Sequence, residues 1–368
     1  MKYTKIKLER KIKDRVLALG AQGKSSFSVT KGDFLYVSDA GGDLGDAGNL
    51  NLFKASIEQT LKELNIKPSV IACDMHPEYN STRLGEEISN AKKIPLIKIQ
   101  HHKAHIASNI IDNNVKGDVI GIAFDGTGYG EDGTVWGGEF FIGSLKGLKR
   151  AAHLDYIAMP GGEKAIIEPW RMAFSYLYRA NLTWLENDRL EILKQAIDKK
   201  INSPLTSSMG RLFDAVSSLI GVCSEASFEG EPAIMLEKKM HEVTSHKSQA
   251  AGKQYKFKIK KEKDIYIIKA DDVIKDIMKD VKNKITQGEM SLRFHNAVAI
   301  MIKDVCKILR KEYKIDKVAL SGGVFLNKFL TRHTPELLEK ENFKVYLHRN
   351  IPTHDGGISV GQAVLSSH

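Results

Sequence analysis

The chain has 368 residues, 42% apolar and 27% charged, with 55 Lys plus Arg against 45 Asp plus Glu for a net charge of +10. That length exceeds one small module, and those proportions exclude disordered, collagen-like and coiled-coil chains. No apolar run approaches a membrane span, the first 13 residues are rich in Lys and lack a signal-like stretch, and Cys73, Cys223 and Cys306 stand far apart, so the expectation is a cytoplasmic protein without a disulfide framework or cysteine zinc site.

In chain order, Arg15 to Leu19 reads as a strand, and Ser25 to Ser38 as two short strands about the turn Thr30-Lys31-Gly32-Asp33. Helix and strand then alternate: Asn49 to Leu64 (helix), Ser69 to Asp74 (strand), Ser81 to Ala91 (helix), Leu96 to Gln100 (strand) and His102 to Asn113 (helix). The pattern restarts with strands at Asp118 to Phe124, Thr134 to Gly143 and Arg150 to Tyr156, the first two separated by a Gly/Asp turn from Asp125 to Gly133. Helices follow at Pro169 to Arg179, Thr183 to Lys199, Arg211 to Gly221 and Met235 to Val243, then a hairpin (Tyr255 to Ile268), a helix (Ala270 to Ile285) and another at Leu292 to Tyr313. The strand Lys317 to Leu320, a helix near Phe325 to Lys340, the strand Lys344 to His348 and a helix from Gly357 close the chain. Two copies of one strand-rich unit imply an α/β fold with two lobes and a cleft, the other possibility being one mixed domain with edge hairpins.

Much of the surplus charge sits between Lys238 and Lys284, with 14 Lys against 7 acidic residues and no Arg. Lysine spread over a hairpin and a helix suits a solvated surface better than a nucleic-acid reader, which combines Arg with aromatics. Neither nucleic acid nor membrane is the expected partner.

His101 and His105 lie four residues apart at a helix start, so both imidazoles share one face and can share one metal ion, while His102 points elsewhere. A third ligand would come from a strand-end carboxylate, Asp125 or Asp355; imidazole with carboxylate suits zinc or iron. The alternative is histidines that cap or pack. The turns Asp125-Gly126-Thr127-Gly128 and Ser321-Gly322-Gly323 follow apolar strands and offer backbone N–H groups to a phosphate, unless they are tight turns made for geometry alone. Asp214 on a helix with Arg211 suits ribose hydroxyls or a salt bridge. No Walker Lys, no G-x-S-x-G and no Cys beside a His is present, so the chain carries no evident nucleophile of its own.

Together, the segments Leu19 to Phe27, Cys73 to Thr82, His101 to His105, Phe124 to Phe140 (FDGTGYGEDGTVWGGEF), Met159 to Gly162, Glu168 to Arg171, Phe228 to Glu237, Ser321 to Asn327 and Pro352 to Gly361 resemble the carbamoyltransferase domain of the hydrogenase-maturation protein HypF. The resemblance implies a duplicated actin/hexokinase-like (ASKHA) two-lobe fold with an interlobe cleft. Its lobes would be residues 14–114 with 356–368, and 115–355 with a Lys-rich insertion near 247–287. It implies a metal, zinc or iron, on His101, His105, Asp125 and Asp355, the last two acting with the histidines as catalytic groups. It places ATP, AMP or carbamoyl-adenylate on Gly126, Thr127, Gly128, Asp214, Gly230, Gly322, Gly323 and Asn327. It further implies transfer of the carbamoyl group to the C-terminal Cys of a HypE-like protein in NiFe hydrogenase cyanide-ligand maturation. The acylphosphatase-like, zinc-finger and YrdC-like parts of HypF have no counterpart in the sequence, so a YrdC-like partner acting in trans is expected. The same fold would also serve a tRNA threonylcarbamoyl transferase or a non-catalytic nucleotide-binding scaffold.

Overall fold

The computed structural model describes residues 3–182, 188–242 and 254–367, organised around two mixed sheets. The first lobe contains β1 (Tyr3–Ile12), β2 (Val16–Ala18), β3 (Ser28–Ser38), β4 (Val70–Asp74) and β5 (Leu96–Ile99), with α1 (Ala47–Glu63), α2 (Asn80–Lys92) and α3 (His101–Asp112). Across the sheet the order is β1-β3-β2-β4-β5; the first three strands run antiparallel, and β2, β4 and β5 run parallel.

The second lobe opens with β6 (Val119–Tyr129), β7 (Val135–Ser144), β8 (Gly147–Leu154) and β9 (Ile157–Ala158). It continues through α4 (Lys164–Ile167), α5 (Trp170–Arg179), α6 (Asp188–Asp198), β10 (Leu205–Thr206), α7 (Met209–Leu219) and α8 (Glu231–His241). Then come β11 (Lys258–Glu262), β12 (Ile265–Lys269), α9 (Asp271–Lys282), α10 (Gln287–Tyr313), β13 (Lys317–Ser321), α11 (Lys328–Lys340) and β14 (Lys344–Tyr346); α12 (Ile358–Leu365) returns to the first lobe. The sheet order β11-β12-β8-β7-β6-β13-β14 contains the first lobe's pattern, three antiparallel strands followed by two parallel ones. The duplication therefore shows in strand order. The insertion hairpin β11/β12 extends the sheet by parallel pairing of β12 with β8, and Val273, Ile274 and Ile277 of α9 enter the core beneath it.

Several elements differ from the sequence expectation. The turn expected at Thr30 to Asp33 is absent: β3 runs straight through it, paired on one side with β2 and on the other with β1. That partner comes from the Lys-rich opening segment, ahead of the expected lobe start at residue 14. Its period-two alternation sends Leu8 and Ile12 into the core beside Leu35 and Val37. β6 likewise does not end at Phe124. It bulges between Phe124 and Gly128 and rejoins the ladder with Gly128 opposite Trp136, so Asp125 to Thr127 form a bulge and the turn falls at residues 130–133. β8 starts at Gly147 rather than Arg150, and α10 starts five residues early, where the Thr286 side chain accepts from the Glu289 amide. A 3₁₀ turn, Gly323–Leu326, precedes α11 where a helix was expected from Phe325. The opening residues 183–187 of the expected helix Thr183 to Lys199, Val243 of another, and residues 247–253 of the insertion lie outside the described residues.

α3 lies between the two sheets. Ala107 packs with the first lobe's core, whereas Ile106 and Ile110 pack with Ala123, Phe141 and Ala319 of the second. Two glycines permit this seating: a Cβ on Gly361 of α12 would stand 1.9 Å from the Ala104 carbonyl oxygen, and one on Gly121 of β6 would stand 2.5 Å from Ile106 Cγ2. The helix bearing His101 and His105 is thus held from both sides.

Candidate active site

Gln100 ends the extended segment after β5, and its side chain accepts from the Lys103 amide, so α3 starts at His101 and both histidines occupy its first turns. Asp125 comes from the β6 bulge of the second lobe, and Asp355 opens the 3₁₀ turn that leads into α12. One ligand atom from each of His101, His105, Asp125 and Asp355 lies within 4.8 Å of the others. His105 Nε2 is 2.7 Å from Asp125 Oδ2 and 3.8 Å from Asp355 Oδ1; His101 Nε2 is 3.6 Å and 3.7 Å from the same two oxygens. Three of the four residues are buried, and the Asp355 side chain is 30% exposed.

Asp74, at the end of β4, holds the other face of His101: its Oδ2 accepts from Nδ1 at 2.8 Å and its Oδ1 accepts the His76 amide. That fixes the tautomer with Nε2 turned into the cluster. Burial works against a proton on His101, but the facing carboxylates of Asp125, Asp355 and Asp74 outweigh it and hold the imidazole well above its ordinary value. Burial alone would raise Asp125; the facing imidazoles of His101 and His105 outweigh it and keep the carboxyl well below the usual range. Three carboxylates around two imidazoles carry excess negative charge. A divalent cation fits here: His101 Nε2 is a buried nitrogen without a hydrogen-bond partner, and the donor set of two imidazoles and two carboxylates leaves positions open.

His102, as expected, faces away. Its Nδ1 meets Gln100 Nε2 at 3.1 Å and its ring lies 6.5 Å from Trp136; burial, then the neighbouring His101, keep it neutral.

The residues expected to hold a nucleotide flank this cluster. Gly126 lies beside Glu229, whose carboxylate is 3.6 Å from Arg211 Nη2, and Arg211 Nε is 2.9 Å from Asp214 Oδ2. Asp214 is therefore in a buried pair, not a surface one, and burial pushes its carboxyl up to about 6 despite Arg211. Gly322 has φ +102°, and a Cβ there would stand 2.1 Å from the Phe124 carbonyl oxygen, so only glycine lets the two strand ends meet. The expectation of free amide nests is corrected at three positions: Gly126 and Gly323 donate to Asp125 Oδ1 (2.8 and 3.3 Å), and Gly322 donates to the Thr353 carbonyl (2.9 Å). Asn327 caps α11 through Oδ1 and meets His295 Nε2 through Nδ2 at 2.9 Å. Gly230 sits at the cap of α8, Gly128 returns β6 to its ladder, and Thr127 lies in the bulge. Asp74 and Glu229 are the additions that sequence spacing did not single out; a carboxylate ending the buried strand Val70–Asp74 was the available signal for the first.

Comparison with known proteins gives one family. The family models described as "Carbamoyltransferase, Kae1-like Domain, second subdomain" and "HypF Kae1-like domain" match residues 121–362 and 11–112. The probable carbamoyltransferase HypF of Methanocaldococcus jannaschii is 31% identical over 362 residues, which are 95% of this chain and 46% of that protein. The carbamoyltransferase HypF homolog of Cupriavidus necator is 29% identical over 95% of this chain and 90% of its own length. A crystal structure of full-length HypF in the phosphate- and nucleotide-bound form superposes with a TM-score of 0.91 at 38% identity, covering 99% of this chain and 56% of that one. The chain spans about half the length of the curated relatives it matches, the Cupriavidus homolog apart.

Proposed function

The chain belongs to the HypF carbamoyltransferase family, and from that premise we propose that it holds carbamoyl-adenylate between its lobes and transfers the carbamoyl group to an acceptor thiol. The observation that carries this reading is the four-donor cluster drawn from both lobes beside Asp125-Gly126-Thr127-Gly128. His101, His105, Asp125 and Asp355 would hold one divalent ion, zinc or iron, which supplies positive charge for oxygens that become more negative as the adenylate is attacked. Asp74 keeps His101 oriented, and the shared Asp125 oxygens tie that cluster to the Gly323 amide. Phe228, Ile234 and Leu326 are exposed apolar side chains on the segments around Gly230 and Gly323, a surface suited to a purine; Glu237 of α8 accepts the Phe329 amide and joins the two segments.

The acceptor thiolate forms an S–C bond to the carbamoyl carbon while the bond from that carbon to the phosphate oxygen breaks, and AMP leaves with the electron pair. Direct transfer fits the chain's own cysteines: burial pushes the Cys73 thiol up to about 12 and raises Cys223 and Cys306 as well, so none offers a thiolate near neutral pH. The acceptor proposed is the C-terminal Cys of a HypE-like protein, and the adenylate would come from a YrdC-like activity.

Mass spectrometry of a peptide ending in Cys, supplied with carbamoyl-adenylate, should show the carbamoyl addition. His101→Ala should slow it roughly 10²–10³-fold. No addition with the wild-type protein and a HypE-like acceptor under that supply overturns the proposal.

A further inference from the structure

We propose that Ser321, His348 and Asp112 form a buried positioning chain for His105, the counterpart of what Asp74 does for His101; this rests on the metal centre proposed above. His105 turns Nε2 into the cluster, so with a cation there its proton sits on Nδ1. Nδ1 faces Ser321 Oγ at 3.4 Å, and Ser321 Oγ is 2.8 Å from His348 Nε2. Only one direction satisfies all three groups: Nδ1–H of His105 donates to the hydroxyl, the hydroxyl donates to His348 Nε2, and His348 then keeps its proton on Nδ1. That nitrogen lies 3.6 Å from Asp112 Oδ2. Side-chain exposure is 5% for His348 and 2% for Asp112, and His105 and Ser321 are fully buried, so water does not compete for these contacts.

The fold supports the chain at both ends. Asp112 lies seven residues after His105 on α3, hence on the same face, and its carboxylate also accepts the amides of Arg349, Asn350 and Ile351, which fixes the segment beyond His348. Ser321 ends β13 of the second lobe. One helix therefore supplies both ends, and the other lobe supplies the middle. A ligating imidazole whose second nitrogen has a fixed acceptor keeps its ring orientation, and loss of such a partner weakens metal binding about 10–100-fold.

The test uses metal-stripped full chain titrated with Zn²⁺ against a chromophoric chelator. Ser321→Ala and His348→Ala should each weaken Zn²⁺ about 10–100-fold, the double variant no more than the worse single, and Ser321→Thr should return to within about threefold of wild type. The Co²⁺-loaded Ser321→Ala protein should also show shifted d–d bands, which a loss of stability alone would not produce. Zn²⁺ affinity of both alanine variants within threefold of wild type overturns the chain, as does Ser321→Thr binding as weakly as Ser321→Ala. If Ser321→Ala does not fold, His348→Ala decides alone. A wild-type protein that binds no Zn²⁺ overturns the metal centre and the chain together, a result distinct from variants that bind as well as wild type.

Discussion

Asp112 shows how one side chain shapes stability as well as geometry. Burial would raise its carboxyl, but His348 and the three backbone amides outweigh that and hold it at about 2, below its ordinary 3.8. A carboxylate depressed in the fold stabilises above its unfolded value, so its contribution is complete above about pH 4 and disappears as pH falls toward 2. Arg349 and Asn350 are exposed, so part of the field is screened and the contribution is about 1–2 kcal/mol. Asp112→Asn should therefore lower the unfolding free energy at pH 7 by about that amount and remove the acid-dependent loss between pH 4 and 2; urea titrations at both ends of that window measure it. At this scale the shared face of His101 and His105 was legible in the sequence, because a four-residue spacing on a helix is local. Asp74 and His348 were not legible as partners, since strand pairing brings β4 beside β5 and β14 beside β13, and neither neighbour relation is written in spacing.

α3 and α12 meet backbone to backbone at Gly361, and α12 begins three residues after Asp355. Gly361→Ala should force the helices apart, costing about 1–3 kcal/mol, and carry Asp355 away from His105. The expected outcome is a lower thermal midpoint together with weaker Zn²⁺ binding, measured on the same preparation; unchanged metal affinity would detach Asp355 placement from this contact. Helices and central strands were readable because their apolar periods are local and long, as in α1, α3 and α10. β1 was not among the expected elements because its charged half, exposed on a sheet edge, masks the alternation that turns Leu8 and Ile12 toward Leu35 and Val37. The β3 and β6 errors share a cause: Gly-Asp and Asp-Gly pairs mark turns by composition, yet a bulge uses the same residues without ending the strand.

Across the whole molecule, the cluster takes His101 and His105 from one sheet's helix, Asp125 from the other sheet and Asp355 from the return crossing, so a bound ion would join parts distant in the chain. Anything that binds only the folded state stabilises it, by about 2.7 kcal/mol at a hundred times its dissociation constant. Calorimetry should therefore show the thermal midpoint rising by several degrees with Zn²⁺ and falling back with chelator, and His101→Ala should abolish the response; an equal shift in that variant would place the ion elsewhere. No helix among the described residues is long and apolar enough to cross a membrane. The first lobe's core combines Leu8 and Ile12 of β1 with Val360, Ala363 and Val364 of α12. On a ribosome, β1 to α3 emerge some 246 residues ahead of α12, a wait of roughly 12–50 s at about 5–20 residues per second. Of the two lobes, the one begun first is thus completed last, and because Asp355 arrives with the same closing segment, an ion held by this cluster would gain its fourth donor only once that segment has been made.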